Sequence, residues 1–346
     1  MRQYISISII ILLSVALIVS LNRDFLFPKI SFLSPKANEK VAEQAKPLDK
    51  YAIDNLKNRE FSSSLITIDK QLKSDSELSS NVFFYESAGK RVSGLINTPK
   101  KEGVYPVILM FRGFVPDEIF TTGEGTRRTG EALSQAGFIT LAPDFLGFGE
   151  SASESSHPLE SRFETYTTAL NLLASISNLN AALSLQNTFS GVRADPQKLG
   201  IWGHSNGGHI ALVTLEVSGS KLPTVLWAPV TKPFPYSILY YSDESEDNGK
   251  LLRKLIADFE RDYDVNRYSL TTYLDWIESP IELHQGTNDE AVPLRWSSQF
   301  VAEMQKRNKD ISYFIYPGEV HNFNSSGWLL ALARSVRFYT SHFSSR

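Results

Sequence analysis

The stretch Lys198-Leu199-Gly200-Ile201-Trp202-Gly203-His204-Ser205-Asn206-Gly207-Gly208-His209 decides the fold. Residues 199–202 are a short apolar run of the length of a buried strand, and 209–215 are apolar with helical length. Between them, Gly203-x-Ser205-x-Gly207 sets a serine on a strand-to-helix turn. Such a turn forces the serine into a strained backbone conformation and raises its Oγ at the C-terminal edge of the strand. The two glycines let strand and helix approach closely, and the free N–H groups of the helix start favour negative charge there. Ser205 is therefore the candidate nucleophile, with Gly203 and Gly207 shaping its turn.

Outward from this turn, strands and helices alternate. Residues 82–85 and 91–97, separated by Ser87-Ala88-Gly89-Lys90, read as a hairpin. Strands are expected at 105–110, 138–141, 224–227, 281–283 and 312–316, and helices at 130–137, 166–185, 296–307 and 328–343. This order predicts an α/β fold, a mostly parallel central sheet with helices on both faces. Residues 231–279 break the alternation with Pro233, Pro235 and an aromatic cluster, and read as an insertion capping the sheet. Phe234, Tyr236, Tyr240 and Tyr241 within it are candidates for lining a substrate pocket.

Lys and Arg number 35 against 38 Asp and Glu, so there is no basic field to bind nucleic acid by counterion release. Cysteine is absent, which removes disulfides, thiolate nucleophiles and cysteine-ligated metals together. A hydrophobic content of 42% with 21% charged residues is ordinary globular composition.

The N-terminus differs. Residues 5–21 are uncharged and closed by Asn22-Arg23-Asp24. As a helix they would span about 25 Å, longer than a signal-peptide core. Residues 1–24 are expected to be a signal anchor crossing a membrane as a single helix, although Arg23, Lys29 and Lys36 lie on the side that the charge rule keeps cytoplasmic. The domain beyond is expected to be extracytoplasmic, or secreted if the segment is cleaved. Residues 25–47, with Pro28, Pro35 and Pro47, read as a tether, and 48–346 as the folded domain, opened by Leu48, Tyr51, Ala52 and Leu56 at helical spacing.

An activated serine needs a base, and the base needs an orienting carboxylate, which follow in the order Ser, Asp/Glu, His in this architecture. Of six histidines, His321 lies just after the last expected strand, where a loop carries an imidazole back over the sheet. Asp289 follows the strand before it, with Glu290 its neighbouring competitor, read as a solvated charge. An oxyanion needs two aimed donors. The Asn206 N–H and the Phe114 N–H, after Arg112-Gly113, are the candidates. His204 and His209, five apart, miss the spacing of paired metal ligands, and this chemistry needs no metal or organic cofactor.

Gly-His-Ser-Asn-Gly-Gly at 203–208, Gly-Thr-Asn-Asp at 286–289 and Pro-Gly-Glu-Val-His-Asn-Phe at 317–323 together resemble the α/β-hydrolase superfamily. They look closest to the catalytic domain of prolyl-oligopeptidase-type serine hydrolases, a group that grades into dienelactone-hydrolase-like esterases. The resemblance covers roughly residues 80–345. It implies a serine hydrolase acting on a small ester or a short peptide through an acyl-enzyme on Ser205. It also implies that the loop Asp144-Phe145-Leu146-Gly147-Phe148-Gly149-Glu150-Ser151 is mainly structural. Two departures stand out: Arg112-Gly113 occupies the place where many relatives have His-Gly, and residues 22–80 are too few for the propeller that precedes many family peptidases. A carboxylesterase, an acyltransferase of the same fold, and a catalytically silent membrane-tethered scaffold remain the alternatives.

Overall fold

The computed structural model describes residues 46–344 apart from 245, 246 and 325. The expected anchor and nearly all of the tether lie outside the described residues. Among the described residues no helix is long and apolar enough to cross a membrane.

Among the described residues nine strands form one sheet: β1 (Thr67–Ser74), β2 (Leu78–Ser87), β3 (Lys90–Pro99), β4 (Gly103–Phe111), β5 (Ile139–Pro143), β6 (Val192–His204), β7 (Thr224–Trp227), β8 (Ile281–Gly286) and β9 (Ile311–Tyr316). Their spatial order is β1-β2-β3-β5-β4-β6-β7-β8-β9. The first three strands and β5 pair antiparallel, while β5, β4, β6, β7, β8 and β9 run parallel. The longer helices are α1 (Arg127–Gln135), α2 (Pro158–Ser175), α3 (Asn206–Ser218), α4 (Lys250–Asp262), α5 (Leu294–Lys306) and α6 (Ser326–Ser344).

Side chains of a strand alternate between faces, and the parallel strands bury both. Val107, Leu109 and Phe111 of β4 join one core with α2 and α3, whereas Ile108 and Met110 join a second with Leu133 of α1 and Tyr339 of α6. Two cores, one on each face, are what the uninterrupted apolar runs require, and helices cover both.

Three elements differ from their sequence reading. The helix expected over 166–185 begins at Pro158, with the His157 Nδ1 accepting the Glu160 N–H, and breaks at Ile176–Asn178 before a short helix at Leu179–Ser184. Strand β1 was unanticipated, because only Ile68 among its eight residues is buried. The segment between β7 and β8 contains α4 and a series of 3-10 turns, and residues from both its halves pack into the main core. There Phe234, Phe259 and Tyr268 surround Phe163 of α2 at 5.1–6.1 Å. Arg267 pairs with Asp49 and Asp54, tying this segment to the start of the domain.

Candidate active site

Because β4, β6, β8 and β9 belong to the parallel part of the sheet, the loops after them open at the same edge. Gly113 follows β4, Ser205 follows β6, Asp289 follows β8 and His321 follows β9. Four segments distant in sequence thus meet at the C-terminal ends of neighbouring strands, where open α/β sheets hold their ligands.

Ser205 has φ 55° and ψ −122°, a left-side conformation that a side chain rarely adopts. The turn is held by three main-chain bonds. Its N–H donates to Trp227 O at 3.0 Å, and its carbonyl accepts from Gly208 N and Val230 N, both at 3.0 Å. The glycines are sterically required: a Cβ at Gly207 would overlap the Phe111 carbonyl oxygen, and one at Gly203 would lie 2.6 Å from Gly207 O. Helix α3 starts at Asn206, so its first N–H groups face the same edge as Ser205.

Asp289 and His321 are brought together. Both carboxylate oxygens of Asp289 lie near His321 Nδ1, at 3.0 and 2.9 Å, and the Asp289 side chain is fully buried. Its Oδ1 also accepts the N–H groups of Ala291 and Val292, and its Oδ2 accepts from Gln285 Nε2 at 2.7 Å. Burial alone would raise this carboxyl, but the bond to His321, with the Val292 and Gln285 donors, holds it below the usual carboxylate value. An ionised carboxylate only accepts, so His321 Nδ1 is the donor of this pair, the arrangement that in a neutral imidazole keeps the lone pair on Nε2. Gln285 is itself held by Ser297 Oγ at 2.6 Å.

Two side chains that the sequence reading left as bystanders support His321. His204 is buried, donates from Nε2 to His321 O at 3.1 Å, and sets its ring 4.6 Å from the His321 ring. Burial, reinforced by the neighbouring His321, lowers its proton affinity to about 3, so it is neutral. Glu290, expected to be only a solvated charge, is exposed but accepts the His321 N–H at 3.2 Å. Among the described residues no hydrogen bond joins Ser205 Oγ to His321; the main chain and His204 carry the link between their loops. Catalytic hydrogen bonds are commonly longer in an unliganded site than in the working complex.

The candidate pocket residues divide. Phe234 is 2% exposed inside the Phe163 cluster, so it packs the core and does not line an open surface. Tyr236, Tyr240 and Tyr241 instead gather around Trp296 at 5.8, 4.7 and 6.3 Å. This aromatic shelf rests on Val230 and Val292, whose N–H groups bond Ser205 O and Asp289 Oδ1. Tyr236 and Tyr240 are 43% and 39% exposed. Trp296 escaped the sequence reading because it sits on α5, which looked like an ordinary amphipathic helix.

No group of three or more His, Asp or Glu side chains among the described residues is arranged to hold a metal ion. Asp144 is buried and accepts from Ser93 Oγ, Thr122 Oγ1 and Gly123 N, a structural role like the one its motif implied.

A largely parallel sheet with the serine on a strained strand-to-helix turn defines the class as an α/β-hydrolase fold, and matches to two sequence families and to solved esterases and peptidases support the α/β-hydrolase superfamily. The sequence model of the Prolyl oligopeptidase family matches residues 179–346, and that of Chlorophyllase matches residues 71–226. Ser205 lies within both matches. The chain is 28% identical over 136 residues to Dipeptidyl peptidase family member 6 of Caenorhabditis elegans, covering 37% of this chain and 18% of that protein. It thus spans less than a fifth of that relative's length. The fold is similar to acetyl xylan esterase 1 from a Thermoanaerobacterium species, with TM-score 0.55 and 17% identity over 85% of this chain and 94% of the other. It is similar to the same degree, TM-score 0.55 and 17% identity, to a puromycin-hydrolyzing peptidase of Mycobacterium tuberculosis, over 76% of this chain and 39% of that one.

Proposed function

We propose that the protein is a serine hydrolase that cleaves an ester or a peptide/amide bond through an acyl-enzyme on Ser205. The observation that carries this reading is the hydrogen-bonded Asp289–His321 pair on the strand-end loops that flank the strained Ser205 turn. In the first step His321 Nε2 takes the Ser205 Oγ proton as Oγ bonds to the substrate carbonyl carbon. The tetrahedral oxyanion is held by the N–H groups of Asn206 and Phe114. Collapse breaks the bond to the leaving alcohol or amine, which departs with the proton returned by His321. Water then enters by the same path and gives a proton to His321 as its oxygen bonds to the acyl carbon; the bond to Ser205 Oγ breaks, Oγ takes the proton back from His321, and the acid leaves. Asp289 keeps the imidazole in the productive tautomer throughout.

Matches to both a peptidase family and an esterase-type family support an acyl bond as the target without choosing between oxygen and nitrogen leaving groups. The shelf of Tyr236, Tyr240, Tyr241 and Trp296 supports a substrate with an apolar group beside the scissile bond. The test is a panel of p-nitrophenyl esters set against aminoacyl and prolyl p-nitroanilides, assayed with the full chain and its Ser205→Ala variant. Turnover of either class that vanishes in the variant supports the reading, and the class that turns over names the leaving group. Turnover of neither class would contradict it.

Residues 1–24 are further proposed to anchor the chain in a membrane with the hydrolase domain outside the cytoplasm, on the hydropathy of residues 5–21. Retention in the membrane pellet after alkaline extraction is expected; release would contradict the anchor.

A further inference from the structure

The loop after β4 carries a buried cation that a tight turn does not require. Arg112 is 7% exposed. Its guanidinium donates to Asp144 O from Nε at 3.3 Å and Nη2 at 3.0 Å, and to Gly113 O from Nη1 at 3.0 Å. The rings of Phe148, Phe120 and Phe145 enclose it at 4.0, 4.8 and 5.7 Å. Burial lowers its proton affinity to about 10 against the pull of Asp144, so it stays charged at neutral pH. The Asp144 carboxylate is occupied by Ser93, Thr122 and Gly123, so the direct bonds of the cation go to two main-chain carbonyls. Desolvating a guanidinium is costly, and a fold that does so for two carbonyls fixes both.

One of those carbonyls matters for chemistry. The peptide between Gly113 and Phe114 is trans, so its C=O and N–H point in opposite directions. Pinning Gly113 O therefore sets the direction of the Phe114 N–H, and the adjacent positive charge polarises the peptide toward a stronger donor. This peptide lies against the nucleophile: a Cβ at Gly113 would stand 2.8 Å from Ser205 Cβ and 3.4 Å from its Oγ. The Phe114 side chain cannot hold the loop itself, being 82% exposed.

We infer that Arg112 is a positioning residue for the oxyanion, clamping the Gly113–Phe114 peptide so that the Phe114 N–H meets the negative charge formed when Ser205 attacks. This inference rests on the acyl-transfer reading above.

The test compares the full chain with Arg112→Gln and Arg112→Lys. It measures kcat and KM on the best ester or anilide, and Ki for a trifluoromethyl ketone, which forms a tetrahedral oxyanion adduct on an active serine. For Arg112→Gln, kcat should fall about 10- to 100-fold, less than the loss of a whole oxyanion donor, while KM stays within about threefold. Ki should rise by the same factor as kcat/KM falls. Arg112→Lys should show a smaller loss, since an ammonium keeps the charge but cannot fork across both carbonyls. A folded variant with unchanged kcat and Ki, or with its loss confined to KM, would overturn the inference. If Arg112→Gln does not fold, Arg112→Lys carries the same readouts. Failure of the unsubstituted chain to form the adduct would instead overturn the acyl-transfer reading, so the two failures are distinct.

Discussion

His321 Nδ1 lies within 3.0 Å of both carboxylate oxygens of Asp289, although 32 residues separate them in the chain. The carboxylate is saturated on its other sides by Ala291, Val292 and Gln285, so it cannot turn away from the imidazole. Asp289→Asn keeps the shape but presents an amide that cannot select the Nδ1–H tautomer. Turnover of this variant should fall on the order of 10⁴-fold, measured on whichever substrate class is active. A loss below about tenfold would remove Asp289 from the mechanism.

Gly207→Ala tests the geometry of the serine turn. Its Cβ would overlap the carbonyl of Phe111, a main-chain group fixed in the middle of the sheet. Overpacking against backbone should cost at least about 3 kcal/mol, seen as a lower midpoint in urea or as loss of soluble protein. A change within about 1 kcal/mol would mean that the turn is built differently.

Phe234 and Tyr240 are six residues apart and both aromatic, yet they should respond oppositely. Phe234→Ala empties a buried position among Phe163, Phe259 and Tyr268 and should cost about 3–5 kcal/mol in thermal or urea unfolding. Tyr240→Ala removes a partly exposed ring from the shelf on Trp296 and should change stability by less than about 1 kcal/mol while raising KM. An unaltered KM on every active substrate would exclude the shelf from binding.

His209 should set part of the acid limit of stability. It is fully buried between Tyr166 OH and Val230 O, and burial lowers its proton affinity from 6.5 to about 3. Between these values the unfolded chain binds a proton that the native chain does not. Stability is therefore intact above about pH 6.5 and falls by about 1.4 kcal/mol per pH unit on the way down to about pH 3 for each such group. His204 adds a second. Urea unfolding at pH 7, 6 and 5 should show a shallower fall for His209→Gln by one proton's worth. Equal slopes would contradict the neutral buried imidazole.

How far the sequence foretold this molecule depends on which residues determine each feature. Strand β7 was readable to the residue because a short apolar run stands between Pro223 and Pro229. Strand β1 was not, since an exposed edge needs no apolar alternation. The break at Ile176–Asn178 was hidden because apolar residues resume directly after it, and those on both sides are buried in the same core. The Ser205, Asp289 and His321 loops were legible from their places after strands. The clamp of Arg112 was not, because its carbonyl at Asp144 and its rings at Phe120, Phe145 and Phe148 are gathered only by folding. For the same reason Phe234 and Tyr236, neighbours in sequence, could not be told apart until one was buried and the other exposed.

The central claim is that Ser205 is an activated nucleophile, and labelling with a fluorophosphonate probe tests it most directly. The full chain should be labelled covalently at Ser205, and a folded Ser205→Ala variant should not be labelled at all. A folded, unsubstituted chain that resists the probe would contradict the claim and leave a silent scaffold on an α/β-hydrolase fold.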